Sequence, residues 1–293
     1  LILFTKVEIV RGRRFKTQAD IDRYISQGYG QGEGPQYLPW LRVQDVPSKG
    51  RSRKVQGTKV DRLHHLLSDV EFACFLTLEF SEQVIDIREQ FPLFPTEQAI
   101  DIANQLGIRY PLYRGTQLHF VMTTDFLITL QATDGTRYLA ARSVKTEGDL
   151  LPSSELKRTI EKLELEKALL QVQGVHDWKL VTEKTMGATL IENLIWLRKG
   201  KTLERHLLKP DTHSQFIHAL EFYANKERTL ASVIRASATS THIPYTDGIL
   251  LFKYLVLNKN ICFDITKQEL KLTGFCPLLT ASNMPVSKVL KAA

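Results

Sequence analysis

The chain has 293 residues, 43% of them hydrophobic and 24% charged. These are globular proportions that exclude disorder or low complexity as the main character, and the length suggests two domains at ~100–200 residues each. The net charge of +7 lies wholly in residues 184–293, with fifteen Lys and Arg against eight Asp and Glu, whereas residues 1–183 hold twenty-four of each.

The longest apolar runs, such as Gly248-Ile-Leu-Leu-Phe252, fall far short of the roughly 20 residues that span a bilayer. Leu1-Ile-Leu-Phe4 has no basic flank and does not read as a secretory segment. The missing initiator Met reads as a trimmed chain. Cys74, Cys262 and Cys276 are widely spaced with no Cys-x-x-Cys, so the expected compartment is the reducing cytoplasm.

Apolar spacing predicts a helix over 17–27, stopped by the glycine-rich 28–34. No strand precedes those glycines and no Gly-Lys-Ser/Thr ends them, so a flexible connector is expected rather than a phosphate cradle. A helix is expected over 68–80 and a strand over 84–88, with Pro92 and Pro95 breaking the regular structure beyond it. Thr96 is placed to cap a helix ending near 106. Strands over 125–131 and 137–145 flank Asp134-Gly135, a hairpin signal. A Leu/Glu/Lys-rich helix over 155–173, a strand over 178–181 and a helix over 188–197 come next. Beyond a boundary near Glu183, helices over 215–225, 228–236 and 247–257 precede short β pieces at 261–265 and 271–275. That order fits a small winged-helix-like module.

Lys49, Arg51, Arg53, Lys54, Lys59 and Arg62 stand against a single acid, Asp61. Such a run is either a solvated loop or a grip on backbone phosphates, and Lys49, Arg51, Arg53 and Lys54 are the candidate DNA contacts. Asp125 opens one hairpin strand and Ser143-Val144-Lys145 closes the other. This is the layout of a restriction-enzyme-like nuclease core, in which a carboxylate and a nearby oxygen hold a divalent cation beside a lysine. The cation offsets charge growing on the phosphoryl oxygens and acidifies a water; the ammonium adds electrostatic stabilisation.

Register decides whether that layout exists. A two-residue Asp134-Gly135 turn sets Asp125 opposite Val144 and turns Ser143 and Lys145 to the other face. A three-residue loop, Thr133-Asp134-Gly135 with Gly135 left-handed, sets Asp125 opposite Ser143 with Lys145 on the same face. The longer loop is predicted. Glu71 is the third candidate, although Ser68-x-x-Glu71 also reads as a helix capping box. Asp125 alone reads equally as a strand-end residue and Lys145 as an edge-strand charge. His64 and His65 diverge on a helix, and Glu161, Glu164 and Glu166 read as an exposed face paired with lysines.

Several segments, in order from about 28 to 197, resemble the TnsA family of transposition endonucleases. They include Tyr37-Leu-Pro-Trp-Leu41, His64-His-Leu-Leu-Ser-Asp-Val-Glu71, Asp86-Ile-Arg-Glu-Gln-Phe-Pro-Leu93, Thr124-Asp-Phe-Leu127 and Glu161-Lys-Leu-Glu-Leu-Glu166. The resemblance implies a restriction-endonuclease-like α/β domain over 1–183 and a winged-helix-like interaction domain over 184–293. It implies cutting of the 5′ strands at transposon ends in double-stranded DNA, beside a DDE-type sister transposase (TnsB-like) and an ATPase regulator (TnsC-like). By motif position Glu71, Asp125 and Lys145 are the implied catalytic residues, and Mg²⁺ the implied cofactor, held by Glu71, Asp125 and Ser143. The family commonly has glutamine where this chain has Ser143, which leaves the Ser143 carbonyl as the expected donor. Two rivals stand beside this: a stand-alone restriction or repair nuclease of the same fold, which cuts unaided, and a non-catalytic DNA-binding or scaffold protein whose working part is the positively charged C-terminal portion, indifferent to changes at Asp125.

Overall fold

The computed structural model describes residues 15–46, 50–224, 228–277 and 279–281. The chain divides into two compact units, Leu1–Thr182 and Glu183–Ala293.

In the first unit, helix α1 (Gln18–Ser26) starts at a capping box: Thr17 Oγ1 accepts from the Asp20 amide and the Asp20 carboxylate accepts from the Thr17 amide. Its buried face, Ile21 and Tyr24, packs into an aromatic cluster with Phe15, Trp40 and Tyr113. The glycine segment is not a loose connector. Gly30, at φ +74°, donates to the Leu38 carbonyl at 2.7 Å, and a Cβ there would stand 2.4 Å from the Pro92 ring.

Strands β1 (Arg53–Gln56) and β2 (Leu63–Leu66) form an antiparallel ribbon inside the basic stretch. Next come helix α2 (Asp69–Phe80), strand β3 (Val84–Leu93) and helix α3 (Glu97–Gln105, capped by Thr96). Strands β4 (Met122–Gln131) and β5 (Arg137–Val144), helix α4 (Leu156–Val172) and strand β6 (Asp177–Val181) complete the unit. The sheet order is β3-β4-β5-β6; β3, β4 and β5 are antiparallel, and β6 lies parallel to β5. A parallel return needs a long crossover, and α4 supplies it. The expected α/β sheet flanked by helices is present: α2 packs on β3 and β5, α4 on β3 and β4. Leu93, Met122, Leu127 and Ala141 of the sheet meet Leu165, Leu169 and Leu170 of α4 in one core.

Pro92 does not break β3, which runs on to Leu93. The strand is at the sheet edge, where a missing N–H costs no ladder bond. The 34–41 segment covers that edge, with the Trp40 amide donating to the Gln90 carbonyl at 3.2 Å.

The second unit is largely helical: α5 (Glu183–Met186), α6 (Ala188–Arg198), α7 (Pro210–Ala224), α8 (Leu230–Ser240) and α9 (Tyr245–Leu257), with a short ladder of β7 (Ile261–Cys262) and β8 (Thr280–Ala281). The strand expected at 271–275 is turn, apart from a single bridge from Phe275 to Thr229. Its Leu272 and Gly274 carbonyls accept from the Ala231 and Leu230 amides at the start of α8, both at 2.8 Å, and just before it buried Asn193 donates to the carbonyls of Ile265 and Gln268 and accepts from the Leu270 amide. Buried backbone groups so satisfied need no strand partner. Among the described residues no helix is long and apolar enough to cross a membrane.

Candidate active site

The β4–β5 hairpin carries the three-residue loop. The Ala132 amide donates to the Thr136 carbonyl at 2.9 Å, Gly135 sits at φ +86°, and its amide returns to the Ala132 carbonyl. Asp134 Oδ1 accepts from the Thr136 amide at 2.9 Å, closing the turn. The ladder pairs Gln131 with Arg137 and Phe126 with Arg142, so one step on, Asp125 faces Ser143.

At that end the side chain of Asp125 replaces the ladder: its Oδ2 accepts from the Val144 amide at 2.6 Å. The Lys145 ammonium lies 3.7 Å from the same oxygen and donates to the Val144 carbonyl at 2.8 Å. Asp125, with Glu166 and Glu71 behind it, raises the Lys145 pKa against the pull of burial. The metal-free site thus favours the charged ammonium.

Glu71 caps its helix and also faces Asp125 across Gln90. Ser68 Oγ accepts from the Glu71 amide at 3.1 Å and caps α2, and the Glu71 carboxylate accepts from Ser68 Oγ and from the Leu67 amide at 2.9 Å. The free edge of that carboxylate points into the site, where Gln90 Nε2 lies 3.3 Å from Glu71 Oε2 and 3.3 Å from Asp125 Oδ1. Burial and then the Asp125 charge push the Glu71 pKa well above the usual carboxylate range. Two acids from separate elements thus converge on one small space with an ammonium beside them.

Glu166 corrects the reading of α4 as a wholly exposed acidic face. It is 6% exposed and accepts from Ser143 Oγ and from Trp178 Nε1. Burial, then the Asp125 charge, raises its pKa to about 7. The sequence held a signal for this: Leu163, Leu169 and Leu170, three or four positions away, are all buried, and residues so spaced share a helix face. Fully buried Ser143 spends its hydroxyl on Glu166 and Trp178, so its side chain is not aimed at the space between Asp125 and Glu71. Gln90, uncharged and inside a strand, was not read as a site residue, although it lies in the Asp86–Leu93 segment that carries the family resemblance.

The basic ribbon is only partly available to a ligand. Lys49 lies outside the described residues. Arg51 and Lys54 are exposed. Arg53 pairs with Asp69 and stacks 4.3 Å from the Phe72 ring centroid. Arg62 is not part of any phosphate grip: it is buried against Glu89, with Nη1 at 2.8 Å from Oε1, beside a His64 Nδ1 contact at 2.8 Å. Burial would raise Glu89, yet the hydrogen bonds from Arg62 and His64 hold it down to about 2. This buried ion cluster fastens β2 to β3 next to Gln90.

Among the described residues no three His, Cys, Asp or Glu side chains form a ready-made metal cage. The donor set still fits a small hard cation. Such an ion binds through one or two carboxylates and keeps its remaining positions for water and substrate phosphate, and the two carboxylate oxygens sharing Gln90 Nε2 offer that opening.

Residues 81–183 match the family described as TnsA-like endonuclease N terminal, and residues 187–265 match TnsA endonuclease C terminal. Over 188 residues the chain is 44% identical to the transposon Tn7 transposition protein TnsA of Escherichia coli. That alignment takes in 64% of this chain and 65% of the relative's length. The mixed sheet with its flanking helices is accordingly restriction-endonuclease-like, and the chain belongs to the TnsA family.

Proposed function

We propose that this protein is a Mg²⁺-dependent DNA endonuclease that cuts the 5′ strands at transposon ends, working with a DDE-type transposase and an ATPase regulator. One observation carries the reading: Glu71 and Asp125, from a helix and a strand, share one amide donor, and the Lys145 ammonium stands 3.7 Å from Asp125. The description of the Escherichia coli relative as a transposition protein supports the setting.

Glu71, Asp125 and the Ser143 carbonyl are the residues that would hold the ion, and hard oxygen donors suit Mg²⁺. When bound, the cation offsets the charge that grows on the phosphoryl oxygens and makes a water more acidic. Lys145 directs its ammonium at the same space and orients the attacking water. Water adds to phosphorus in line, the P–O3′ bond breaks, the 3′ oxygen takes up a proton, and the phosphate stays on the 5′ side. Arg51 and Lys54, with Lys49 and the free donors of Arg53, grip backbone phosphates without reading sequence. Site choice then falls to the partners. In this reading 1–183 is the catalytic domain, 184–293 is the interaction domain that meets the ATPase regulator, and the protein works in the cytoplasm.

The test is a strand-resolved donor-cleavage assay in Mg²⁺, with each subunit omitted in turn. The full set nicks the 5′ strand and the purified chain alone stays nearly silent. D125A and K145A, folded by circular dichroism, lose cleavage by about 100-fold or more, the scale at which removing a charge-stabilising group acts. Substantial residual nicking by either variant contradicts the assignment, and efficient cutting by the chain alone favours a stand-alone nuclease.

A further inference from the structure

Gln90 occupies a costly position that the proposed reaction does not explain. It is 2% exposed, inside an edge strand, with φ at +49°. For a long side chain the left-handed region costs on the order of 1 kcal/mol or more, and such strain persists only where the surroundings impose it. Here they do: the Gln90 carbonyl accepts from the Trp40 amide at 3.2 Å, and the Tyr37 hydroxyl spans the Glu89 and Gln90 carbonyls at 3.1 and 3.4 Å. The ladder on either side pairs Glu89 with Phe126 and Phe91 with Thr124, which sets Gln90 opposite Asp125.

The orientation of the carboxamide is set by its neighbours. Between two carboxylates only the amide NH₂ finds acceptors, one hydrogen for Glu71 and one for Asp125. On its far side, Oε1 accepts from the Thr123 hydroxyl at 3.2 Å. A cation between the carboxylates reverses that demand, because an N–H donor pointed at it is repelled and an oxygen is attracted. Thr123 serves either way, since a hydroxyl both donates and accepts.

We infer that Gln90 is a reversible positioning residue of the cation site: its NH₂ clamps Glu71 and Asp125 while the site is empty, and a half-turn about the amide presents Oε1 to the entering ion as a further oxygen donor beside the two acids and the Ser143 carbonyl. The inference rests on the cation site proposed above. It explains why buried Glu71 and half-buried Asp125 stay converged without a metal. It also makes that added donor an uncharged group, so the empty site carries no additional repulsion.

Calorimetric titration of the full-length protein with Mn²⁺ tests this, beside thermal midpoints in EDTA. Q90M, which fills the space without hydrogen-bonding, binds Mn²⁺ at least about tenfold more weakly, the usual cost of losing a residue that orients metal ligands. Q90E keeps an oxygen donor but loses the clamp: it binds Mn²⁺ no more weakly than wild type, and its metal-free midpoint falls below wild type. Wild-type affinity in a folded Q90M overturns the inference, as does a wild-type metal-free midpoint for Q90E. Should Q90M not fold, the side-chain amide resonances of Gln90 in ¹⁵N-labelled wild-type protein decide: they shift on Mg²⁺ addition if the amide turns, and unchanged resonances overturn the inference. D125N separates the two levels. If D125N still binds Mn²⁺ as wild type does, the cation site itself is wrong; if it does not while Q90M does, only the role of Gln90 fails.

Discussion

Three carboxylates, Glu71, Asp125 and Glu166, crowd one ammonium, and the burial of two of them sets how the metal-free protein responds to pH. Glu166 keeps its proton up to about pH 7 in the fold, whereas the unfolded chain releases it near the ordinary glutamate value. Between those limits the folded state binds the extra proton, so this group's contribution to stability is present at low pH and is lost as pH rises through about 7. Glu71, raised by burial and Asp125, acts in the same direction. Glu89 acts oppositely: held at about 2, it contributes above the ordinary glutamate value and that contribution is lost on acidification. Substitution isolates one group. In EDTA, E166Q should equal wild type in thermal midpoint at pH 5 and exceed it at pH 8, because the amide is neutral throughout; an equal or lower midpoint at pH 8 contradicts the raised Glu166 pKa. Asp125 and Lys145 were legible in the sequence because an acid and a lysine closing a hairpin is an unusual pairing. Glu166 was not, because alternating Glu and Lys mimics a solvated face, and the leucines on its own face were outweighed.

At the scale of the element, the hairpin was legible in full. Asp-Gly announces the turn, and only the three-residue loop lets Asp125 share a face with Lys145. That account places a left-handed residue at Gly135, where an added Cβ costs about 1–2 kcal/mol. G135A should therefore lower the thermal midpoint by several degrees at the ~2–4 °C per kcal/mol expected for a unit of this size. An unchanged midpoint contradicts the loop conformation that sets the register. The ribbon β1–β2 was not legible, because its basic residues masked the alternation that marks a strand. The extension of β3 through Pro92 was hidden too: a proline is compatible with a strand only at an edge, and edges are a property of the assembled sheet.

Across the whole molecule, what local chemistry sets was readable and what distant contacts set was not. Helices α6, α7 and α9 obey apolar spacing within their own residues. The loss of the 271–275 strand depends on residues some forty positions upstream: the Ala231 and Leu230 amides at the start of α8 donate to the Leu272 and Gly274 carbonyls, so the segment pairs with a helix end rather than a strand. Arg62 likewise left the phosphate-gripping group because Glu89, in another strand, captures it. The three catalytic candidates came from residue type and order, and their convergence came from the fold.

That convergence is most directly tested by anomalous diffraction from a crystal soaked in Mn²⁺. The account predicts a peak between the Glu71 and Asp125 carboxylates, within coordination distance of both and beside the Lys145 ammonium. A soaked crystal with no peak there, or with its only peak on other residues, contradicts it.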